Sequence, residues 1–419
     1  MTASTGWTAR WTSGAPVLFA GLSVVNLSTY VFHVVVSRLL GPAAYGAAGT
    51  VVAVAAALNI ATASVQTAVT RKAVHAGPDE DPWRLQRTGT RAAALTAVAG
   101  VAGSWWVARF LHLDGTWPAI WLALAVACST AGAVGRGWLA GRRRYRTVAV
   151  ALGAGAVTRT GGAIVLAALG RGPSGVVGAV AVSEAVGSGL VLLGLRRDRP
   201  AQAGAPPLRL APSELGLALA TYFGFWALTS VDTFLVRHFR TTLESGQYVA
   251  ASTLASVSLF LAVAVVGALF PRLVEAGGEH RVERGLVARW AGFVAVVLGL
   301  LAAAIEIFPR LALAVTFGPA YQGGAPVLRL LACSYGALAL GYLGLHALLA
   351  AHRASAALPV AGLAAATAGI LARHGSAVEV AQVITAVSAV LAGALMLLAF
   401  RATRASTVST SPLVERLSL

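Results

Sequence analysis

Residues 117–146 read WPAIWLALAVACSTAGAVGRGWLAGRRRYR, and the reading of the whole chain starts from this stretch. Its first part, 117–140, is an apolar run of the length a bilayer requires, about 20 residues at 1.5 Å rise each. Lipid offers the backbone no hydrogen-bond partner, so such a run is a helix. It stops at Arg142, Arg143, Arg144 and Arg146, and it encloses one lone cation, Arg136. The same alternation recurs along the chain. Further apolar runs lie at 16–37, 47–69, 92–108, 148–169, 175–195, 215–236, 247–270, 290–308, 330–351, 355–372 and 377–400. The third, ninth and eleventh of the twelve are the shortest. With 57% hydrophobic and 11% charged residues and a mean hydropathy of +0.76, the chain is outside the soluble globular range. No alternating ten-residue pattern of a membrane barrel occurs. The fold class is all-α, a polytopic membrane protein of about twelve helices.

A net charge of +17 would suggest nucleic acid as partner in a soluble chain. Here the positive-inside rule accounts for it, and no nucleic-acid partner is expected. Of the 32 Lys and Arg residues, twenty-two fall in the two termini and in every second connection. The richest connections hold Arg71, Lys72, Arg84, Arg87 and Arg91; then Arg142 to Arg146; then Arg196, Arg197, Arg199 and Arg209; then Arg272, Arg281, Arg284 and Arg289. Arg10, Arg353, Arg401, Arg404 and Arg416 share their side if the spans alternate. Both termini are then cytoplasmic. Only Arg136 and Arg159 stand inside apolar runs. The first run is too long for the core of a signal peptide and is expected to be retained. Usage rich in Ala, Gly and Arg, with Lys72 the single lysine, fits a GC-rich bacterial source and hence the bacterial cytoplasmic membrane. Cys128 and Cys333 imply neither a disulfide framework nor a metal site.

The chain also repeats itself. Tyr45-Gly-Ala-Ala-Gly-Thr50 is echoed by Tyr248-Val-Ala-Ala-Ser-Thr253, and Leu139-Ala-Gly-Arg-Arg143 by Leu349-Ala-Ala-His-Arg353. The Pro- and Arg-rich stretch between the echoes divides the chain. Residues 1–195 form an N-terminal lobe of six spans and 196–214 a cytoplasmic linker; 215–400 form a C-terminal lobe of six spans and 401–419 a tail. Six spans per half give both halves one orientation, with a pseudo-twofold axis along the membrane normal. Alternating-access transporters built this way hold their site between the halves.

Polar positions inside the runs are the candidate site. Ser23, Asn26, Tyr30, His33 and Ser37 are spaced 3, 4, 3, 4 on the first span, and Asn59, Thr62, Gln66 and Thr70 repeat the pattern on the second. Such faces avoid lipid and either bond neighbouring helices together or line a hydrated cavity; Asn26, His33 and Gln66 are the cavity candidates. Arg159 and Glu184 both lie about eleven residues from the cytoplasmic ends of adjacent spans, so they share a depth. They form either a static ion pair or part of a substrate or proton pathway. Arg136, nearer the cytoplasmic mouth, either snorkels to the interface or contacts phosphate, whose oxygens match the guanidinium fork. Asp232 either pairs with Arg237 or His238 or takes part in ion coupling. Trp105, Trp106, Trp117 and Trp121 are spaced as interfacial anchors. No phosphate-binding Gly-rich loop followed by Lys-Ser/Thr occurs, so ATP is not the expected driver, and no nucleophile–base pair marks an enzyme.

The run Ser37-Arg-Leu-Leu-Gly-Pro-Ala-Ala-Tyr-Gly46 resembles the hallmark of the polysaccharide flippases in the multidrug/oligosaccharidyl-lipid/polysaccharide exporter superfamily. Asp232 with Arg237 and Tyr248, Leu269-Phe-Pro-Arg272 and Phe317-Gly-Pro-Ala-Tyr321 resemble it too, in the same order, over about residues 15–355. The resemblance implies two lobes around a cavity bounded by spans 1, 2, 7 and 8 that faces each side of the membrane in turn. It implies a polyprenyl-diphosphate-linked glycan as substrate; Arg136 and Arg159, the two cations inside apolar runs, are the candidates for recognising its phosphates. The bilayer is the second partner and proteins of glycan assembly are candidate others. No cofactor is expected; an H⁺ or Na⁺ gradient or the membrane potential would supply the energy. Drug-exporting relatives exchange a cation through acidic groups, and spans 1 to 5 hold none. A drug/cation antiporter and a membrane enzyme of glycan assembly remain the alternatives.

Overall fold

The computed structural model describes residues 15–75, 80–198, 212–263, 265, 284–350 and 357–402. Nearly all of them are helical, and no strand occurs among the described residues. Eight stretches have the length and hydropathy to cross a membrane. The first of these belongs to the helix Ala15–His75, which passes twice because it breaks at Gly41-Pro42. Gly41 has φ 72°, a left-handed conformation natural to glycine, and Pro42 has no N–H to continue the ladder.

The third span runs through Trp83–Ala102 and Ser104–Phe110, the fourth is Trp117–Gly141, the fifth Tyr145–Ala168 and the sixth Gly172–Leu195. The seventh is Pro212–Phe239, and the eighth starts at Thr242 and reaches Val263. Arg284–Ile307 is the ninth, continued by Pro309–Thr316; Ala325–Ala350 the tenth, Ala357–Ala372 the eleventh and Ala377–Ala402 the twelfth. Among the described residues that makes a bundle of twelve helical passes. The eighth opens on a capping box: Thr241 Oγ1 accepts from the Glu244 amide at 3.3 Å and the Glu244 carboxylate accepts from the Thr241 amide at 3.3 Å.

The expected spans are present as far as their residues are described, and the largest shift of boundary is at the third. The third begins at Trp83, so Arg84, Arg87 and Arg91 stand on its first turns rather than in a connection. Arginine is a good helix former, and the helix simply continues beyond the apolar run. Residues 351–353 of the second echo, Leu269–Arg272 and most of the 196–214 linker lie outside the described residues.

Two lobes pack by one scheme. In the first, the fourth span lies between the second and the sixth: Gly137 faces the Gln66 carbonyl, Gly141 faces Ala73, and Gly132 and Gly135 face Ser188 and Val191. Absent side chains let these backbones approach closely, the usual way apolar helices associate in lipid. The fifth span lies on the first, where Thr160 Oγ1 bonds Ser28. The second lobe repeats this. Its tenth span meets the eighth through Ser252–Tyr335 and the twelfth through Ser334–Ser388, at 2.9 Å each, while the seventh meets the eleventh at Gly224 and Pro359. Contacts such as Gly141–Ala73 and Gly194–Thr147 align the helix ends, so Arg71, Arg142–Arg146 and Arg196–Arg197 gather at one end of the bundle. The Gly41 kink, Phe110 and Phe317 gather at the other.

Candidate functional site

Between the lobes lies a cavity of about 360 Å³. The first lobe lines it with Thr29, Phe32, His33 and Arg159 and with the small-residue face of the second span; the second lobe adds polar and aromatic groups of the seventh, eighth and tenth spans. Its boundary is therefore the expected one of spans 1, 2, 7 and 8, with the fifth and tenth contributing Arg159 and Tyr335. Its charged lining residue is Arg159, and no carboxylate lines it among the described residues.

Arg159 is held in this cavity by the first span. Its Nη2 donates to Thr29 Oγ1 at 2.5 Å, and its guanidinium carbon stands 5.5 Å from the centre of the Phe32 ring, a cation–π contact. The direct Arg159–Glu184 ion pair suggested by their common depth is not made. Both residues instead line a second cavity of about 110 Å³ inside the first lobe, together with Arg136, Ser183, Gly155 and Gly187. Glu184 lies within coulombic reach of both arginines and in salt-bridge contact with neither.

Arg136 neither snorkels nor reaches the central cavity. It is buried, with Nη2 donating to the Ser129 carbonyl at 2.7 Å and Nη1 lying 3.4 Å from Ser188 Oγ, so it ties the fourth span to the sixth. A phosphate contact in the central cavity does not fit this placement. His33 does line the central cavity, hydrogen-bonded through Nδ1 to the Tyr45 hydroxyl at 2.9 Å. Asn26 is exposed and Gln66 half-buried, and neither lines either cavity. A helical stripe marks a face, and which part of that face meets a void depends on the partner helices.

Asp232 pairs with neither Arg237 nor His238. It is buried behind the cavity wall and accepts from the Tyr248 hydroxyl at 2.8 Å and the Thr233 amide at 2.7 Å. Arg237 instead crosses between lobes. Its Nε and Nη2 donate to the carbonyls of Leu111 and His112 at 2.8 Å each, where the helix Ser104–Phe110 ends and leaves acceptors unpaired. His238 Nδ1 donates to the Phe110 carbonyl at 2.8 Å and the two rings stack at 4.0 Å.

The described motifs, Ser37–Gly46, Arg237 and Phe317–Tyr321, meet at this same end. Tyr321 donates to the Ser37 carbonyl at 2.8 Å, Arg38 donates to the Val315 carbonyl, and Tyr45, Phe317 and Tyr321 form an aromatic cluster. Gly46 packs on Gly246 and Gly49 on Val249, so the duplicated segments face each other across the lobes. A Cβ on Gly246 would lie 1.8 Å from the Pro42 oxygen. All these inter-lobe bonds lie at the end away from the arginine-rich one. They tie the two lobes together at that end.

The sequence reading missed Ser252, Thr253, Ser256, Trp226 and Tyr335 as lining residues. The first three were legible as a polar face of the eighth span, since Ser252 and Ser256 are four residues apart; Tyr335 is alone on its span and carried no such signal.

Residues 35–326 match the family described as "Polysaccharide biosynthesis protein". The chain belongs to that family. Its fold is shared with solved transporters. This polysaccharide biosynthesis family member is similar to an inward-facing multidrug resistance MATE family transporter of the MOP superfamily, with TM-score 0.71 and 14% identity over 96% of this chain and 100% of that one. It is similar to an outward-facing one with TM-score 0.60 and 19% identity over 93% and 94% of the two chains. A substituted Vibrio cholerae MATE transporter aligns with TM-score 0.60 and 18% identity over 93% and 97%. No curated protein matches the chain in sequence. Family membership and a helical fold shared with these membrane transporters are what the comparisons show.

Proposed function

We propose that the protein is a flippase that carries a polyprenyl-diphosphate-linked glycan from the cytoplasmic to the outer leaflet by alternating access. One observation carries this reading: the inter-lobe cavity presents the cation Arg159 among hydroxyl and aromatic groups, with no carboxylate in its described lining. A diphosphate needs fixed cations when it leaves water, and the arginine fork matches its oxygens. Hydroxyls of Thr229, Ser230, Ser252 and Ser256, with Trp226 and Phe260, suit sugar rings, which offer hydroxyl edges and apolar faces. A site for organic cations would call for the reverse, an acidic cavity. His33 is the further substrate contact we propose; Arg136 keeps a supporting role.

By the positive-inside rule the arginine-rich end is cytoplasmic, in a bacterial cytoplasmic membrane with both termini on that side. The inter-lobe contacts of Arg237 and of the Tyr45–Phe317–Tyr321 cluster then act as a closed gate at the outer end, and the cavity loads from the cytoplasm. Outward movement of an anionic headgroup gains about 2.3 kcal/mol per charge per 100 mV from an interior-negative potential, so the potential alone favours export.

Proteoliposomes carrying a fluorescent polyprenyl-diphosphate glycan test the reading. The wild type should expose the glycan to the far leaflet, and Arg159→Gln should slow this by about 10- to 100-fold, the loss of a charge-assisted hydrogen bond to phosphate. Translocation unaffected by Arg159→Gln would remove the site. Efflux of a fluorescent organic cation with no glycan movement would instead favour a drug/cation antiporter.

A further inference from the structure

Arg159 stands between two cavities. Toward the lobe interface it lines the central cavity beside Thr29 and Phe32; toward the lobe interior it lines the smaller one that also holds Glu184. Its Nε is buried without a hydrogen-bond acceptor, so the guanidinium is not saturated in its present position. The groups facing Glu184 are Arg136 and the Ser129 hydroxyl from the fourth span and Arg159 from the fifth; the Cys128 thiol lies within electrostatic reach, and the first span offers Val25. Arg136 is already committed to Ser129 and Ser188. Arg159, bonded to Thr29 but with its Nε unfilled, is the cation with capacity left to answer a charge on Glu184. Gly155 and Gly187 line the same small cavity and leave room beside both side chains.

Resting on the reading that Arg159 receives the substrate's diphosphate, we propose that Glu184 is a proton-binding positioning residue that decides whether Arg159 is available to substrate. Ionised, it is an anion within low dielectric, in direct salt-bridge contact with neither arginine, and draws the Arg159 guanidinium toward the small cavity. Protonated, it leaves Arg159 on Thr29 and facing the central cavity. A carboxylate and a diphosphate thus compete for one fork of donors. The sign follows from charge: a proton on Glu184 adds one positive charge to the site and tightens an anionic ligand. By linkage the ligand promotes proton uptake to the same degree. Proton and lipid are loaded together, so proton entry through this group does not drive export.

Binding of farnesyl diphosphate to the full-length protein in nanodiscs, measured from pH 5 to pH 8, tests this. The ligand's own titration cancels when variants are compared at each pH. Glu184→Gln should bind about tenfold more tightly than wild type at pH 8, one unit of coupled titration, and converge with it at pH 5. Glu184→Asp should keep the pH dependence, which distinguishes the switch from a packing role. Parallel pH profiles for wild type and Glu184→Gln would overturn the proposal while Arg159→Gln still weakened binding. Binding by Arg159→Gln equal to wild type, or no binding by wild type at any pH, would overturn the substrate reading and this proposal with it.

Discussion

The two lobes repeat one packing scheme and fill it with different chemistry. The first lobe gathers buried Arg136 and half-buried Arg159 and Glu184 around a void of about 110 Å³, with none of the three in a salt bridge to another. The second buries Asp232 against Tyr248 and Thr233, and closes its span contacts with the Ser252–Tyr335 and Ser334–Ser388 hydroxyl pairs. Charges with unfilled hydrogen-bonding capacity can change partner; a carboxylate already bound to two donors has little reason to. The contrast assigns switching to the first lobe and rigidity to the second. The gate needs both, because its contacts run from one lobe to the other.

The contrast can be broken at three places. The largest effect is expected at the gate. Gly246→Ala would put a methyl group against the Pro42 carbonyl, and overpacking of this kind costs about 1–3 kcal/mol, here charged against the closed state. Spin labels at the exposed residues Leu39 and Leu243 should then report a population of longer distances, with transport reduced by tenfold or so. Unchanged distances would mean that the lobes accommodate the methyl group elsewhere.

A smaller effect is expected at Tyr248. Tyr248→Phe removes one of the hydrogen bonds to buried Asp232 and should lower stability by about 1–3 kcal/mol, read as a lower melting temperature in detergent. If the second lobe is the rigid one, farnesyl diphosphate affinity should not move. A change in affinity with no change in melting would reverse the roles assigned to the lobes.

The smallest effects should come from Ser188→Ala and Ser388→Ala, at matching interfaces of the two halves. Each removes a hydroxyl bond of 2.7 or 2.9 Å and should cost about 1 kcal/mol. Costs differing by more than about 2 kcal/mol would show that Ser188 also supports Arg136, and that the halves are not equivalent even in packing.

Much of the fold was legible because a bilayer imposes few solutions. An apolar run of sufficient length must be a helix, and charged connections must alternate sides; the twelve passes follow from that. The doubtful third span shows the limit, since its arginine-bearing first turns are helical without being apolar. The site was legible in part. His33 and Arg159 line the central cavity, whereas Arg136, equally isolated in an apolar run, bonds its neighbours instead. Both are arginines at depth, and nothing in their sequence neighbourhood separates them. Asn26 and Gln66 share stripes with lining or buried residues, but a stripe extends past the void that only part of it meets.

By itself the sequence determined that the chain lives in lipid, how its helices alternate, and that it consists of two related halves, because hydropathy and charge act on each segment separately. It also placed the motifs 37–46, 232–248 and 317–321 in order along the chain. Only the tertiary structure decided that these distant segments lock into one gate, that Arg159 faces the central cavity while Arg136 does not, and that Glu184 lies across a void from both. Those outcomes depend on which faces of separate helices meet, and on where packing leaves space for a charge to turn.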